Sequence, residues 1–333
     1  SLVGVGKKTI ATPGQVIKDD TQHDFILCES NCVLVICSKE IFSSLMNAES
    51  VYASSDINEP HNFPTNKEPL KKKSRRTSGS SITKNSKSID VSGKWEFGDE
   101  QLVNLIYENP DLEDLNISDC SFTIQEDTLL LLGSLSRLKK LRVSNMPGVT
   151  DAVISNLPES LRELDVSFCQ CITDLGSFSH LKELRELSAR RCRFSQSTDR
   201  LPDRITHLDL SECQALNDHA LDHSLEGLNG LESLNLSFCV GLSPAVLSAI
   251  SKTCGNLKSL DVSFCDSMIN DISLRDFLSP MPNLESLNVS HNQNIHSLAD
   301  YAIHSSLKTI NFAFCQGLDD RQVRLLSLKF SQK

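Results

Sequence analysis

The chain has 333 residues, of which 39% are apolar and 23% are charged, and its formal net charge is −10. No apolar run approaches the roughly 18 residues that a membrane-spanning helix needs, which argues against a membrane protein. The charge is uneven, since residues 1–95 hold 13 Lys/Arg and 10 Asp/Glu, whereas residues 96–333 hold 20 and 33. An acidic surface repels phosphate backbones, so nucleic-acid binding is disfavoured.

Residues 1–55 predict a small β-rich segment. The apolar runs 25–28 and 32–37, separated by Glu-Ser-Asn, favour a hairpin. An alternative is a BTB-like remnant, because residues 33–46 resemble the helix-turn of BTB domains, although the Asp and His that usually precede it are absent. The chain begins at Ser1 without a signal sequence, and we therefore expect a fragment of a longer protein.

Residues 56–94 are expected to form a disordered linker, because they are rich in Pro, Ser and Lys and poor in apolar side chains. The basic run 71–76 fits a nuclear-import signal. Ser78, which follows Arg75 and Arg76, fits a phosphorylation site of a basophilic kinase. A plain solvated charge run explains the same residues.

Residues 95–111 follow, and residues 100–107 predict a helix that caps the end of a repeat array. The array occupies residues 112–333, where the nonapeptide L-x-x-L-x-L-x-x-C occurs nine times at intervals of 21 to 27 residues. Its starts are Leu112, Leu138, Leu161, Leu184, Ile205, Leu231, Leu257, Leu284 and Leu307. Such a period indicates a solenoid whose stacked repeats seal a common core.

Within each nonapeptide, apolar and polar positions alternate, which predicts a short strand with one buried face. An Asp or Ser-Pro step follows each of several nonapeptides, and we expect it to cap a return helix, as at Asp151, Asp174, Asp218 and Ser243. The predicted fold class is therefore α/β, with a curved parallel sheet inside and helices outside.

The ninth position is Cys in seven of the nine repeats, with Met146 and Asn292 in the other two. These cysteines lie one repeat apart and lack the close pairing of zinc ligands, so we interpret them as buried thiols in a reducing compartment. Cys28, Cys32 and Cys37 have apolar neighbours and are interpreted in the same way, with metal binding as the alternative. No metal, cofactor or catalytic motif is predicted, and we expect no enzyme.

The exposed strand positions predict a polar concave face that suits a protein better than a small molecule. Candidate partner-binding residues in its central column are Arg142, Asp165, Asp209, Asn235, Asp261 and Asn288. A neighbouring column is almost all Ser and is also expected to be exposed.

The eighth position contributes four aromatic candidates, which either anchor a partner or pack edge to face on one another. These are Phe168, Phe238, Phe264 and Phe314. A basic cluster around Arg190 and Arg191 either reads an acidic partner or pairs with Glu163, Asp165 and Glu186. The other members of the cluster are Lys140, Arg142, Arg185 and Arg193. If it reads a partner, reversing the charges of Arg190 and Arg191 should weaken binding without lowering the melting temperature.

These nonapeptides, with Cys in ninth place and a following Thr-Asp step at Thr150-Asp151 and Thr173-Asp174, resemble the cysteine-containing class of leucine-rich repeats. That class is best known from F-box/LRR substrate receptors of cullin-RING ubiquitin ligases. The resemblance spans residues 112–330 and implies a substrate-recognition module in the cytoplasm or nucleus. A SKP1-type adaptor or a cullin would bind an upstream or N-terminal module, but no F-box pattern is present here. The alternative is a scaffold or regulatory binding protein with no ligase role.

Overall fold

The computed structural model describes residues 84–297, 306–315 and 317–318, and the backbone of five short strands between residues 2 and 38. Those strands form two antiparallel sheets, β1–β2 and β3–β4–β5. Their bounds are Leu2–Gly4, Lys7–Thr9, Val16–Lys18, His23–Cys28 and Val33–Ser38. The pairing of β4 with β5 matches the strands of the expected hairpin. The BTB-like stretch beyond residue 38, the basic run 71–76 and Ser78 lie outside the described residues.

Ten three-residue strands, β6 to β15, form one parallel sheet in strict chain order. The strands are Ser88–Asp90, Asp114–Asn116, Lys140–Arg142, Glu163–Asp165, Glu186–Ser188, His207–Asp209, Ser233–Asn235, Ser259–Asp261, Ser286–Asn288 and Thr309–Asn311. Each strand pairs in register with the next, so that Leu234 lies opposite both Leu208 and Leu260. The predicted curved parallel sheet is confirmed.

The sheet begins one repeat earlier than the nine nonapeptides indicate. Strand β6 lies within the range expected to be linker, and Ile89 pairs with Leu115 of the next strand. Ile89 and Val91 are buried, as the matching residues of every later repeat are. The linker interpretation therefore fails for residues 84–94. This repeat was missed because Ser86 takes the place of the first Leu of the nonapeptide and Lys94 takes the place of Cys.

Helices cover the outer side of several repeats, and the helix expected before the first nonapeptide is present as α1. Their bounds are α1 Asp99–Glu108, α2 Glu126–Leu130, α3 Asp151–Ser155, α4 Asp218–Leu225, α5 Ala245–Thr253 and α6 Asp271–Leu278. Among the described residues there are also two 3₁₀ turns, Leu131–Ser134 and Leu175–Phe178. No helix lies between β10 and β11, where the repeat is only 21 residues long.

The apolar positions of the nonapeptides form one continuous core. Leu234 and Leu236, for example, are 1% and 0% exposed, and the first residue, Leu231, is fully buried. Because each strand has only three residues, no repeat can enclose these side chains by itself. Neighbouring repeats supply the missing walls, as expected for a solenoid.

The cysteines of the ninth position join successive repeats. Each buried Sγ donates to a backbone carbonyl of the preceding repeat, as Cys239 does to Leu210 at 3.1 Å and Cys169 to Val143 at 3.2 Å. Asn292 replaces Cys and its Nδ2 donates to Val262 at 2.9 Å in the same way. Burial raises the pKa of Cys169 to about 12. These contacts support a structural role for the thiols and explain why Asn can replace them.

The acidic residues at the helix starts perform a different task from the one predicted. Thr150, not Asp151, caps α3 by accepting from the N–H of Val153, and Asn217, not Asp218, caps α4. The carboxylates of Asp151 and Asp218 instead accept hydrogen bonds from the next repeat. We call the five residues with this geometry the inter-repeat carboxylates: Asp99, Asp151, Asp174, Asp218 and Asp271.

Asp174 both caps its own return segment and binds the next repeat. Its Oδ1 accepts from the N–H of Gly176, as the predicted cap should, and also from the N–H of Thr198 in the next repeat. Across the outer side, each inter-repeat carboxylate satisfies backbone N–H groups that would otherwise lack a partner at the start of the neighbouring return segment.

Candidate functional site

The central column of the concave face is half-buried and is partly engaged within the chain. Each Asp or Asn in it accepts a hydrogen bond from the backbone N–H two residues later, at 2.9–3.1 Å. The residues are Asn116, Asp165, Asp209, Asn235, Asp261, Asn288 and Asn311. This Asx geometry turns the chain after each strand. In every candidate residue of this column except Arg142, one side-chain oxygen is therefore already used in a hydrogen bond that stabilises the fold.

Burial raises the pKa of Asp209, and side-chain and backbone hydrogen bonds from Ser211 oppose this. Burial likewise raises the pKa of Asp261, whose Oδ2 accepts from Nδ2 of Asn288 at 2.8 Å. Two desolvated carboxylates thus lie on the concave face near its C-terminal half. An approaching cation would compensate them better than water now does.

The expectation of an exposed serine column is wrong. Ser211, Ser263 and Ser290 are 4%, 2% and 4% exposed, and they lie at the bend after the strand. Their hydroxyl groups face the interior of this turn, as shown by Ser263, whose Oγ donates to Asp261. Alternation predicts an outward side chain only while the strand continues, and each strand ends two residues before these serines.

Four members of the basic cluster, Lys140, Arg142, Arg190 and Arg191, are held in ion pairs within the chain, whereas Arg185 and Arg193 are exposed. Arg142 binds Asp114 at 3.2 Å and Lys140 binds Glu163 at 2.6 Å. Arg190 Nε donates to Glu212 Oε1 at 2.8 Å. Of the three expected carboxylates, only Glu163 has this role, and Asp114 and Glu212 were not foreseen. Both belong to the adjacent repeat, which the parallel register could have indicated.

Arg190 and Arg191 also lie against an aromatic ring. Their guanidinium carbons are 5.6 and 5.7 Å from the ring centroid of Phe168, and Arg191 lies 3.9 Å from Glu212. A phenylalanine, two arginines and a glutamate therefore form one compact group at the rim. The expectation that these arginines can be reversed without lowering the melting temperature conflicts with this geometry, because Glu212 would be left beside like charges.

The eighth position forms a rim column with an unusual backbone. All of its non-glycine residues have a left-handed conformation, with φ between 55° and 65°. They are Asp119, Asn145, Phe168, Arg191, Glu212, Phe238, Phe264, His291 and Phe314. The backbone N–H of each of the first eight donates to a carbonyl of the next repeat, as in Phe238 to Ser263 at 3.0 Å. This interlock fixes the conformation whatever the side chain is.

Four consecutive rings of this column form a stack that we call the aromatic strip: Phe238, Phe264, His291 and Phe314. The centroid distances are 4.0, 3.9 and 4.3 Å, with interplanar angles of 13°, 13° and 19°. The rings are therefore face to face, not edge to face as one interpretation held. His291 was not predicted, although its eighth position in the nonapeptide would have placed it there. Phe168 lies outside the strip.

Within the described residues, no group of three or more His, Cys, Asp and Glu is arranged to hold a metal ion. None of the described helices has the length and apolar character needed to cross a bilayer.

Comparisons with known proteins agree with this geometry. The family model described as "Leucine Rich repeat" matches residues 158–176 and 281–297. Each match contains one strand of the parallel sheet, β9 in the first and β14 in the second. The described residues from 84 onwards form a leucine-rich-repeat solenoid. No curated protein sequence matches this solenoid.

Among solved structures, the solenoid is similar to the TLR13–ssRNA13 complex, with a TM-score of 0.52, 19% identity, and coverage of 68% of this chain and 32% of that one. An internalin (inlF) from Listeria monocytogenes is similar with a TM-score of 0.46 and 16% identity, over 63% of this chain and 56% of the internalin chain. Rad7 in the yeast Rad7–Elc1 complex is similar with a TM-score of 0.35 and 21% identity, over 67% of this chain and 73% of the Rad7 chain. This chain thus spans about a third of the length of the TLR13 chain and just over half of the length of the internalin. At these identities only the fold is shared.

Proposed function

We propose that the solenoid binds another protein on its concave face and serves as the substrate-recognition part of a cullin-RING ubiquitin-ligase receptor. The observation that carries the binding role is the uninterrupted ten-strand sheet, whose outward-facing columns are polar along all ten strands and mostly half-buried. Such a surface offers many hydrogen-bonding groups without apolar walls, which suits a protein or peptide. The candidate residues of the central column and the aromatic strip lie on it or at its rim.

The ligase role is supported by the repeat sequence itself. Cysteine-terminated nonapeptides followed by Thr-Asp steps resemble those of F-box/LRR receptors. In this chain the thiol and the Asp have defined tasks, since both join one repeat to the next. Docking to a SKP1-type adaptor or a cullin would require a module in residues 1–55 or upstream of Ser1.

The experiment is affinity purification of the full-length protein followed by mass spectrometry. The test variant is Ser233→Arg with Ser259→Arg, which places two bulky side chains on adjacent strands of the concave face. The control is Ser248→Arg, on the exposed side of α5. We expect the double variant to lose specific partners while the control keeps them.

A SKP1-type adaptor or a cullin among the retained proteins supports the ligase role, and its binding should survive the concave variant. Absence of both from the wild-type purification supports the alternative, a scaffold or regulatory protein with no ligase role. We also propose that the protein resides in the cytoplasm or nucleus, as the ligase role requires, and imaging of the tagged full-length protein tests this.

A further inference from the structure

The aromatic residues of the rim are not required by the fold. Asp119, Asn145 and Glu212 occupy the same position with the same left-handed backbone as Phe264. That conformation suits Asn and Asp and is strained for a bulky residue, at a cost on the order of 1 kcal/mol or more. The cost of four rings in succession at such positions is of the same order as the stabilisation by their three stacking contacts, so stacking alone gives the fold little net gain. The strip needs an explanation outside folding.

Phe168 shows what chemistry a ring at this position supports. Two arginine side chains of the chain itself cover it, and Glu212 stands beside them. Among the described residues, no Arg or Lys covers Phe238, Phe264 or Phe314 in this way. Phe314 remains 39% exposed, and Val240, two residues after Phe238, is 53% exposed.

The floor beside the strip is small, polar and acidic. In the last five strands the outward positions hold Ser, Thr, Asn, Asp and one His, with no Lys or Arg. Residues 205–297 contain 3 Lys/Arg and 11 Asp/Glu, a balance of −8, whereas residues 137–204 contain 12 and 9, a balance of +3. Of these acidic residues, only Asp209 and Asp261 occupy outward strand positions, and three of the four residues of the strip, Phe238, Phe264 and His291, lie within the same range.

We infer that this half of the concave face binds an extended, basic segment of a partner protein, an inference that rests on the proposed protein-binding function. Lysine or arginine stems would lie along the apolar edges of the strip, and their charged heads would reach Asp209 and Asp261 on the floor. Long cationic side chains combine an apolar stem with a charged head, which matches these two neighbouring surfaces. The group around Phe168 shows the same pairing of arginine, ring and carboxylate within the chain.

The test uses the full-length protein and fluorescence anisotropy with four labelled probes. Three are twelve-residue peptides of repeated Gly-Arg-Ser, Gly-Gln-Ser and Gly-Glu-Ser, and the fourth is a twelve-nucleotide oligouridine. We expect the arginine peptide to bind at least about tenfold more tightly than the glutamine peptide. Tighter binding of the glutamate peptide or of the RNA, or no binding of any probe, would overturn the inference.

Two variants test whether the arginine peptide binds at the aromatic strip and at the floor beside it. Phe264→Asn and Asp261→Asn should each weaken the arginine peptide about five- to tenfold. Phe122→Asn, which removes a ring that is 66% exposed and lies outside the strip, should leave this binding unchanged. Asn145 and Asn288 show that Asn fits both positions, and thermal melts verify that each variant folds. Equal binding by all variants overturns the inference.

The two proposals can fail separately. If Phe264→Asn and Asp261→Asn keep every protein that the Ser233→Arg, Ser259→Arg variant loses, the concave face binds protein by other chemistry. If that double variant loses nothing, the protein-binding function itself is wrong.

Discussion

The carboxylate of Asp151 accepts two hydrogen bonds from Thr173 of the following repeat. It accepts from the backbone N–H at 3.1 Å and from Oγ1 at 2.8 Å, and it also accepts from the N–H of Asp174 at 3.1 Å. The Thr-Asp step of the sequence is therefore a link between repeats, in which Asp of one repeat holds the Thr-Asp of the next. Asp174 continues the series to Thr198.

Asp151→Ala should lower the free energy of unfolding by about 1–3 kcal/mol, because it leaves the backbone N–H groups of the next repeat without their acceptor. The matched control is Asp127→Ala, an exposed acid in the first turn of α2. Urea unfolding followed by circular dichroism measures both. Equal small losses in the two variants would show that the acid acts only through the helix dipole.

Native alkylation should separate the thiols. Burial raises the pKa of Cys169, Cys213 and Cys265 to about 12, so at pH 8 only about one molecule in ten thousand carries the thiolate at each. Cys171 is exposed. Iodoacetamide with peptide mapping should label Cys171 within minutes, and the other three only after unfolding. Rapid labelling of Cys213 in the native protein would contradict its burial.

Asp209→Asn should stabilise the protein at neutral pH. Burial raises the folded-state pKa of Asp209 above its ordinary value of 3.8. The ionised carboxylate therefore costs stability at pH 7, and this cost disappears as the pH falls through the folded-state pKa towards 3.8. Asn keeps the acceptor for the Ser211 N–H. We expect the melting temperature to rise by about 1–4 °C at pH 7, and the difference to shrink as the pH falls towards 3.8 and to vanish below it. A lower melting temperature at pH 7 would mean that Arg190 outweighs burial.

Arg190 and Glu212 should be energetically coupled. The glutamate side chain is only 15% exposed, so Arg190→Ala should cost about 1–3 kcal/mol by leaving that charge poorly solvated. In a double-mutant cycle, Glu212→Ala should recover much of this loss. Strictly additive losses would show that the ion pair contributes nothing to stability.

The period of the nonapeptide was sufficient to predict the sheet, because apolar side chains at three fixed positions of so short a unit are buried only when neighbouring repeats cover them. The strand at Ser88 escaped notice because only Ile89 and Val91 of its pattern remain. The contacts of the site were harder to foresee. Ser263 and Asp261 show why, since the serine is buried by an Asx turn that forms only after the strand ends.

Contacts between repeats account for the other differences. Glu212 is 22 residues from Arg190, and Asp151 is 22 residues from Thr173. Such pairs follow from the register of neighbouring strands and from loop geometry, which periodicity fixes only to within a residue or two. The stacking of Phe264 on His291 likewise needs the left-handed backbone, which no sequence pattern states for a phenylalanine.

The left-handed rim position has a consequence for how the molecule can diverge. Since hydrogen bonds between main chains hold that conformation, exchange of Phe, Arg, Glu or Asn there changes what the edge presents and leaves the stack of repeats intact. Descendants of one ancestral array could therefore acquire new ligands by substitutions at single rim sites, each accepted without compensating changes in the interior.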